Sequence, residues 1–277
     1  MQDVEPAVAA RRAEFRRLHE SGCFVLPNAW DRGSARYLQA LGFSAIASTS
    51  SGFAWSRGRA DGEMHVDEVV AHLRDLVDAT DLPVNADFEN GYAATAAEVA
   101  ANVRLATATG VAGLSIEDST GDADDPLFEL SEAVERLAAA REAAPDVLLV
   151  GRSEGFLWGR PDLDETITRL RAYADAGADC LYAPGIGGRE QITAVVDAVA
   201  PKPVNVLVGG PSDLAVDDIA ALGVRRISVG GALARAAWGG FERAARALVE
   251  HGDFGGFAEA SPGADLNALF RARRARR

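Results

Sequence analysis

The run Pro83-Val84-Asn85-Ala86-Asp87-Phe88-Glu89-Asn90-Gly91-Tyr92 starts as a strand and ends as an acidic loop. Side chains alternate across a strand, so Asp87 and Glu89 are expected on one face, where the strand gives way to a glycine turn. Two carboxylates so placed are hard oxygen ligands suited to Mg2+ or Mn2+. Alone, such a pair is ordinary surface chemistry; its company is what matters. Asp61, Glu117 and Asp118 are further acids, and Gly151-Arg152-Ser153-Glu154 follows them. Unpaired carboxylates crowded at about 4 Å repel by roughly 4 kcal/mol per pair at an effective dielectric of about 20. A divalent cation shared by Asp61, Asp87, Glu89 and Glu117 removes that conflict. Arg152 adds a forked, permanent charge for a carboxylate or phosphonate. Together these types describe a site for a small, multiply anionic substrate that chelates the metal.

The elements that must position these residues are legible as eight β-type runs separated by Ala-rich segments of helical periodicity. The runs are Cys23 to Pro27, Ala45 to Thr49, Val84 to Phe88, Gly113 to Glu117, Val147 to Arg152, Cys180 to Ala183, Val204 to Val208, and Arg225 to Val229. Helices are expected at Arg32 to Leu41, Val66 to Ala79, Ala94 to Thr109, Leu130 to Ala143, Leu163 to Ala176, Arg189 to Ala200, Ser212 to Leu222 and Leu233 to Glu250. Gly42, Gly110, Gly177 and Gly223 fall where helices end. This alternation predicts an α/β chain folded as a (β/α)8 TIM-type barrel, a single domain over 1–277. An extra N-terminal helix at about Ala7 to Glu20 and an extended C-terminal helical segment, about 252–277, flank it. A surplus segment of that kind is a feature of chains that cover another subunit.

Barrel active sites lie at the C-terminal ends of the strands. That rim collects Asn28 and Asp31, Ser48, Thr49 and Ser50, Asp61, Asp87 and Glu89, Glu117 and Asp118, Arg152, Ser153 and Glu154, Asn205, and Gly230 with Gly231. Polar groups from nearly every strand converge there.

Composition limits the partners. With 28 basic and 41 acidic residues the net charge is −13, which argues against nucleic acid and anionic membranes. The basic run Arg271, Arg273, Arg274, Arg276 and Arg277 reads as a solvated tail. No segment approaches the roughly 20 apolar residues of a membrane span, and Met1 to Arg17 has no apolar export signal. Cys23 and Cys180 lie in apolar runs, as buried thiols of a cytoplasmic protein do.

The motifs Asp87-Phe88-Glu89-Asn90-Gly91-Tyr92, Gly113-Leu114-Ser115-Ile116-Glu117-Asp118, Gly151-Arg152-Ser153-Glu154 and Val224 to Arg235 resemble the isocitrate lyase and phosphoenolpyruvate mutase superfamily, especially its short oxaloacetate decarboxylase-like and 2-methylisocitrate lyase-like members. The resemblance spans essentially the whole chain. It implies that Asp87, Glu89 and Glu117 hold Mg2+, directly or through water, with Asp61 close to the metal waters. Ser48, Thr49 and Ser50 stand where such proteins bind a substrate carboxylate and oxyanion, Arg152 at the substrate arginine, and Asn205 and Arg235 at further anion contacts. It also implies a homodimer or homotetramer that exchanges helices. One departure bears on the reaction: the family lyases' Lys-x-Cys-Gly-His loop is replaced by Ser119-Thr120-Gly121-Asp122-Ala123-Asp124-Asp125-Pro126.

The expected activity is a Mg2+-dependent carbon–carbon lyase acting through an enolate on a small 2-oxo or 2-hydroxy polycarboxylate, with oxaloacetate-type decarboxylation favoured. Isocitrate-type cleavage, phosphonate chemistry and a non-catalytic dicarboxylate-binding barrel are the alternatives. Gly151 to Gly155 also fits the G-x-S-x-G elbow of serine hydrolases, but only His251 follows it. His19, His65 and His72 are expected at the surface or at helix caps, and the Gly185 to Gly188 glycines in a turn.

Overall fold

A computed structural model describes residues 5–272; Arg273, Arg274, Arg276 and Arg277 of the basic run lie outside them. All strands are parallel and follow the order β1-β9-β8-β7-β6-β5-β4-β3-β2. The two ends of that order are one strand interrupted at Pro27. Phe24–Leu26 (β1) pairs with Arg226–Ser228 (β9), whereas Asn28–Ala29 (β2) pairs with Ile46–Ser48 (β3). Pro27 has no N–H to give the ladder, yet its carbonyl accepts the Ala47 amide at 2.9 Å. The proline thus bends the strand from the last neighbour to the second and closes the ring. Val84–Asp87 (β4), Gly113–Glu117 (β5), Leu148–Arg152 (β6), Cys180–Tyr182 (β7) and Val204–Leu207 (β8) complete the (β/α)8 barrel.

The helices are Pro6–Leu18 (α1), Arg32–Ala40 (α2), Ser50–Ser56 (α3), Val66–Ala79 (α4), Ala96–Thr107 (α5), Leu130–Ala143 (α6), Leu163–Asp175 (α7), Gly188–Val199 (α8), Val216–Ala221 (α9), Ala232–His251 (α10) and Gly263–Ala272 (α11). Two depart from the sequence reading. The α3 helix stands where a loop was expected, because the Thr49 side chain accepts the Gly52 amide at 3.3 Å and starts a turn immediately after β3. The α9 helix begins four residues late, since Ser212 Oγ bonds both the amide and the carbonyl of Leu214 and holds that stretch as a turn.

Inside the barrel, Phe15 from α1 joins a buried cluster that runs through Leu26, Ala47, Leu148, Val150 and Cys180 to Tyr182. It plugs the end opposite the site. A Cβ on Gly113 would lie 2.5 Å from the Phe15 ring, so the plug requires glycine on β5. At the other terminus α11 folds back on α2: Arg36 Nη2 donates to the Phe270 carbonyl at 2.6 Å, and its guanidinium lies 5.2 Å from the ring centroid. His19 is the C-cap of α1 and His65 the N-cap of α4, as expected, although His19 is buried; His72 is buried within α4, neither at the surface nor at a cap. His19 Nδ1 bonds the Phe15 carbonyl, and the His72 ring stacks on Phe53 at 3.9 Å. Cys180 is buried as expected, while Cys23 is only half-buried.

Candidate active site

Asp87 is the last residue of β4, and the alternation that was to place Glu89 beside it stops there. Glu89 and Tyr92 have φ of +43° and +53°, a left-handed backbone that costs a non-glycine residue about 1 kcal/mol or more. Glu89 is therefore delivered by a turn, not by strand periodicity. Several bonds hold the turn: Tyr92 Oη donates to Glu89 Oε1 at 2.8 Å, and the Glu117 amide donates to the Glu89 carbonyl at 3.0 Å. Asn102 Nδ2 donates to the carbonyls of Gly91 and Tyr92. Arg136, 1% exposed, gives its terminal nitrogens to the carbonyls of Asn90, Ala93 and Ala94. Neither Asn102 nor Arg136 stood out in the sequence, because both sit mid-helix and act only through tertiary contacts.

Arg152, the last residue of β6, is at the centre of the rim. Its Nη1 lies 3.3 Å from Asp87 Oδ1 and 3.2 Å from Glu117 Oε2, and its Nε donates to Glu154 Oε1. The guanidinium carbon stands 5.1 Å from the Tyr182 ring centroid. Two of its three nitrogens are thus engaged by the protein's own acids, and Nη2 has no protein partner among the described residues. Burial lowers the Arg152 affinity for its proton most, but Glu154 and Glu117 outweigh it and the group is held well above its ordinary range. Burial pushes Glu117 well up against the pull of Arg152, and does the same to Glu154. Glu89 is raised to about 7, first by burial and then by the charges of Asp87 and Asp61, against the Tyr92 hydrogen bond. Asp61 is raised by burial and by Asp87, although Ser50 donates to it. One guanidinium among these carboxylates leaves the rim short of positive charge.

The serine cluster is largely engaged. Ser48 Oγ accepts the Asp87 amide at 2.8 Å, the Ser50 amide donates to Asp87 Oδ2 at 3.1 Å, and Thr49 caps α3. Asn205 lies inside the barrel, 0% exposed, with its oxygen on Arg226 Nε at 2.8 Å and its nitrogen on Ser228 Oγ at 2.9 Å. It sits one layer below the rim. Arg235, in the first turn of α10, donates to the Gly209 carbonyl at 3.4 Å and lines a cleft of ≈ 530 Å³ with Trp55 and Trp238. It has no hydrogen bond or ion pair with the Asp87–Arg152 group. Asn28 is a staple: its Nδ2 donates to the Ser48 carbonyl, and its Oδ1 accepts the amides of Val229 and Gly230. Asp31 caps α2.

Asp118 was visible at the rim but without a role. Its Oδ1 accepts the Glu154 amide at 2.7 Å, and its Oδ2 accepts Tyr173 Oη at 2.6 Å and faces Arg169 Nη1 at 3.3 Å. Ser153 is 1% exposed and its Oγ has no partner; no histidine among the described residues bonds it, so the hydrolase elbow is not assembled. Among the described residues no three His, Cys, Asp or Glu side chains are gathered closely enough to hold one ion by direct bonds alone.

The sequence pattern described as phosphoenolpyruvate phosphomutase matches residues 15–249. The chain belongs to this family. An uncharacterised relative, protein Rv1998c of Mycobacterium tuberculosis (strain ATCC 25618 / H37Rv), is 35% identical over 78% of this chain and 81% of its own. The oxaloacetate decarboxylase of Bradyrhizobium diazoefficiens is 31% identical over 76% of this chain and 75% of its own. Among solved structures, a Burkholderia cenocepacia J2315 protein provisionally described as a lyase/mutase superposes with a TM-score of 0.92 at 48% identity, covering 96% of this chain and 97% of that one. Oxaloacetate acetylhydrolase bound to its product oxalate gives 0.86 at 27% identity, covering 99% and 97%. The family's lyases and mutases thus share this barrel, and this chain is an enzyme of that type. No helix among the described residues is long and apolar enough to cross a membrane.

Proposed function

We propose that this protein is a Mg2+-dependent carbon–carbon lyase that decarboxylates oxaloacetate or a close 2-oxo diacid through an enolate. The observation that carries this reading is the position of Arg152, with Nη1 shared by Asp87 and Glu117 and Nη2 without a protein partner. The donor chemistry of the rim fits a hard cation: Asp61, Asp87, Glu89 and Glu117 offer only oxygen, and burial raises three of them above their ordinary range. Asp87, Glu89 and Glu117 would hold Mg2+ (or Mn2+), partly through water, as suits an ion that dehydrates reluctantly. Bound there, it supplies Lewis-acid polarisation of the 2-oxo group.

The chain's own residues do the rest. Arg152 Nη2 donates to a substrate carboxylate, and Glu154 holds the guanidinium in plane from its Nε side. Asp61 and Glu117 complete the catalytic set: Asp61, fixed by Ser50, faces Asp87, and Glu117 anchors Nη1. Ser48 and Ser50 keep Asp87 aimed. Asn205 supports the floor beneath the substrate through Ser228, and Arg235 guards the mouth beside Trp55.

Retro-aldol cleavage of a 2-hydroxy triacid needs a base for the hydroxyl and an acid for the departing carbanion, each worth about 10² to 10⁴ in rate. Residues Ser119 to Pro126 contain no Cys, His or Lys, and fold on themselves through the Thr120 amide on the Pro126 carbonyl at 3.0 Å. Decarboxylation asks for less, since carbon dioxide leaves without a proton. Steady-state rates with Mg2+ on oxaloacetate, 2-methylisocitrate and phosphonopyruvate test the reading. Release of pyruvate from oxaloacetate above the metal-only rate is expected. Faster cleavage of 2-methylisocitrate, or conversion of oxaloacetate to oxalate and acetate in place of pyruvate, overturns it.

The setting we propose is cytoplasmic, as a homodimer or homotetramer that engages neither nucleic acid nor membrane. The α10 helix supports it by exposing Trp238, Phe241 and Val249, with Phe254 and Phe257 beyond. Sedimentation of a monomer at micromolar concentration would rule it out.

A further inference from the structure

An enolate left by decarboxylation must take a proton on carbon before it becomes a 2-oxo acid, and the rim's carboxylates are poorly placed to give one. Asp87 and Glu117 accept from Arg152 Nη1, Glu154 from its Nε, Glu89 from the Tyr92 hydroxyl and Asp61 from Ser50. Ser48 Oγ bonds the Asp87 amide, and the Thr49 hydroxyl is engaged by the Gly52 amide and Ser51 Oγ. The Tyr92 phenol is committed to Glu89. One phenol remains on the other side of the arginine: Tyr182, the last residue of β7, 7% exposed, beneath the Arg152 guanidinium. Its register partners are Arg152 on β6 and Asn205 on β8.

We propose that Tyr182 is the proton donor to the substrate carbon, a reading that rests on the enolate chemistry proposed above. Its hydroxyl faces Ser228; Ser228 Oγ accepts Asn205 Nδ2, and Asn205 Oδ1 accepts Arg226 Nε. Arg226 is 2% exposed and forms no ion pair with a carboxylate among the described residues. This chain ends on a buried cation and so stabilises negative charge at its other end, on the phenol oxygen. A substrate carboxylate on Arg152 Nη2 lies on the side of the guanidinium left open by the acids, close to the same ring. The step balances simply: the enolate carbon's electron pair takes the Tyr182 proton, forming the C–H bond as the O–H bond breaks. The phenolate, flanked by Arg152 and Ser228, is then reprotonated from water. Burial holds the phenol at about 12 despite Arg152, so at neutral pH the O–H is present to give.

Microscopic reversibility supplies the test. A phenolate that can return the proton makes the enzyme exchange the methyl hydrogens of pyruvate with deuterium oxide, independently of carbon dioxide release. With Mg2+ and wild type, exchange above the metal-only rate is expected. In Tyr182→Phe, which keeps the ring under Arg152, the ratio of exchange to oxaloacetate decarboxylation should fall about 100-fold, within the range of a lost general acid. A ratio within threefold of wild type, or no exchange by a wild type that decarboxylates, overturns the donor role. Exchange without decarboxylation instead defeats the proposed function and leaves the Tyr182→Phe exchange rate to decide the donor. Circular dichroism and Mg2+ binding by calorimetry on the variant separate a lost proton from a lost fold.

Discussion

Arg152 Nη1 stands 3.3 Å from Asp87 Oδ1, so one contact joins the residue expected to take the substrate to one expected to take the metal. The same nitrogen is 3.2 Å from Glu117. The guanidinium acts as an internal counter-ion, and a divalent cation drawn to those carboxylates competes with it. Arg152→Gln is therefore expected to lose at least about 100-fold in turnover while binding Mg2+ about tenfold more tightly, near 1.4 kcal/mol. Arg152→Lys keeps the charge and should leave Mg2+ affinity near wild type while losing the fork. Calorimetric titration checks both; weaker Mg2+ binding in Arg152→Gln contradicts the competition. Chelation of Mg2+ with EDTA should abolish wild-type turnover, with recovery on adding the ion back.

A second expectation concerns acid. His72 is held at about 4, first by burial, and its Nε2 has no partner. The sign follows from which state binds the proton. Above the ordinary value of 6.5 both folded and unfolded histidine are neutral, and stability is complete. Below it the unfolded chain takes up a proton that the fold refuses, so stability is lost as pH falls from 6.5 towards 4. Between pH 7 and pH 5 this is worth about 2 kcal/mol. His19, held at about 3 by burial and by Arg226, adds a loss of the same sign. His72→Phe keeps the 3.9 Å stack on Phe53 and should recover about 2 kcal/mol of the difference between urea melts at those two pH values. An unchanged difference would show that His72 is protonated in the fold.

These two sites also show what the sequence could and could not convey. Asp87, Glu117 and Arg152 were legible because each ends a strand, and strand ends are set by local hydrophobic pattern. The barrel was legible for the same reason, strand by strand. Glu89 reached the rim by another route, a left-handed turn stabilised from Tyr92, Asn102 and Arg136. No periodicity encodes that. Asn205 was misplaced by one layer: it sits in the second place of β8, where a polar residue in an apolar run signals a buried network as readily as a rim ligand. The burial of His72 depends on Phe53 in α3, a helix that begins on a side-chain cap rather than on a hydrophobic repeat.

The last expectation concerns Asp118, which carries the support of the site out to α7. It accepts the Glu154 amide, the Tyr173 hydroxyl and the Arg169 guanidinium, while its own amide donates to the Arg152 carbonyl at 3.1 Å. The carboxylate is 2% exposed, so its desolvation is compensated only while all three donors face it. Asp118→Asn preserves shape and can still accept the Glu154 amide, but it turns an NH2 group toward two donors and leaves Arg169 with a weaker partner. We expect a loss of about 3 kcal/mol in urea denaturation, in the range for breaking one side of a buried pair. Tyr173→Phe removes one hydrogen bond to a charged acceptor and should cost about 2 kcal/mol. Because both changes strip the same acceptor, the double variant should fall short of the sum by about 1 kcal/mol or more. Additive losses would mean that Asp118 and Tyr173 stabilise the barrel separately, and that the segment bearing Arg152 and Glu154 is held by the strand ladder alone.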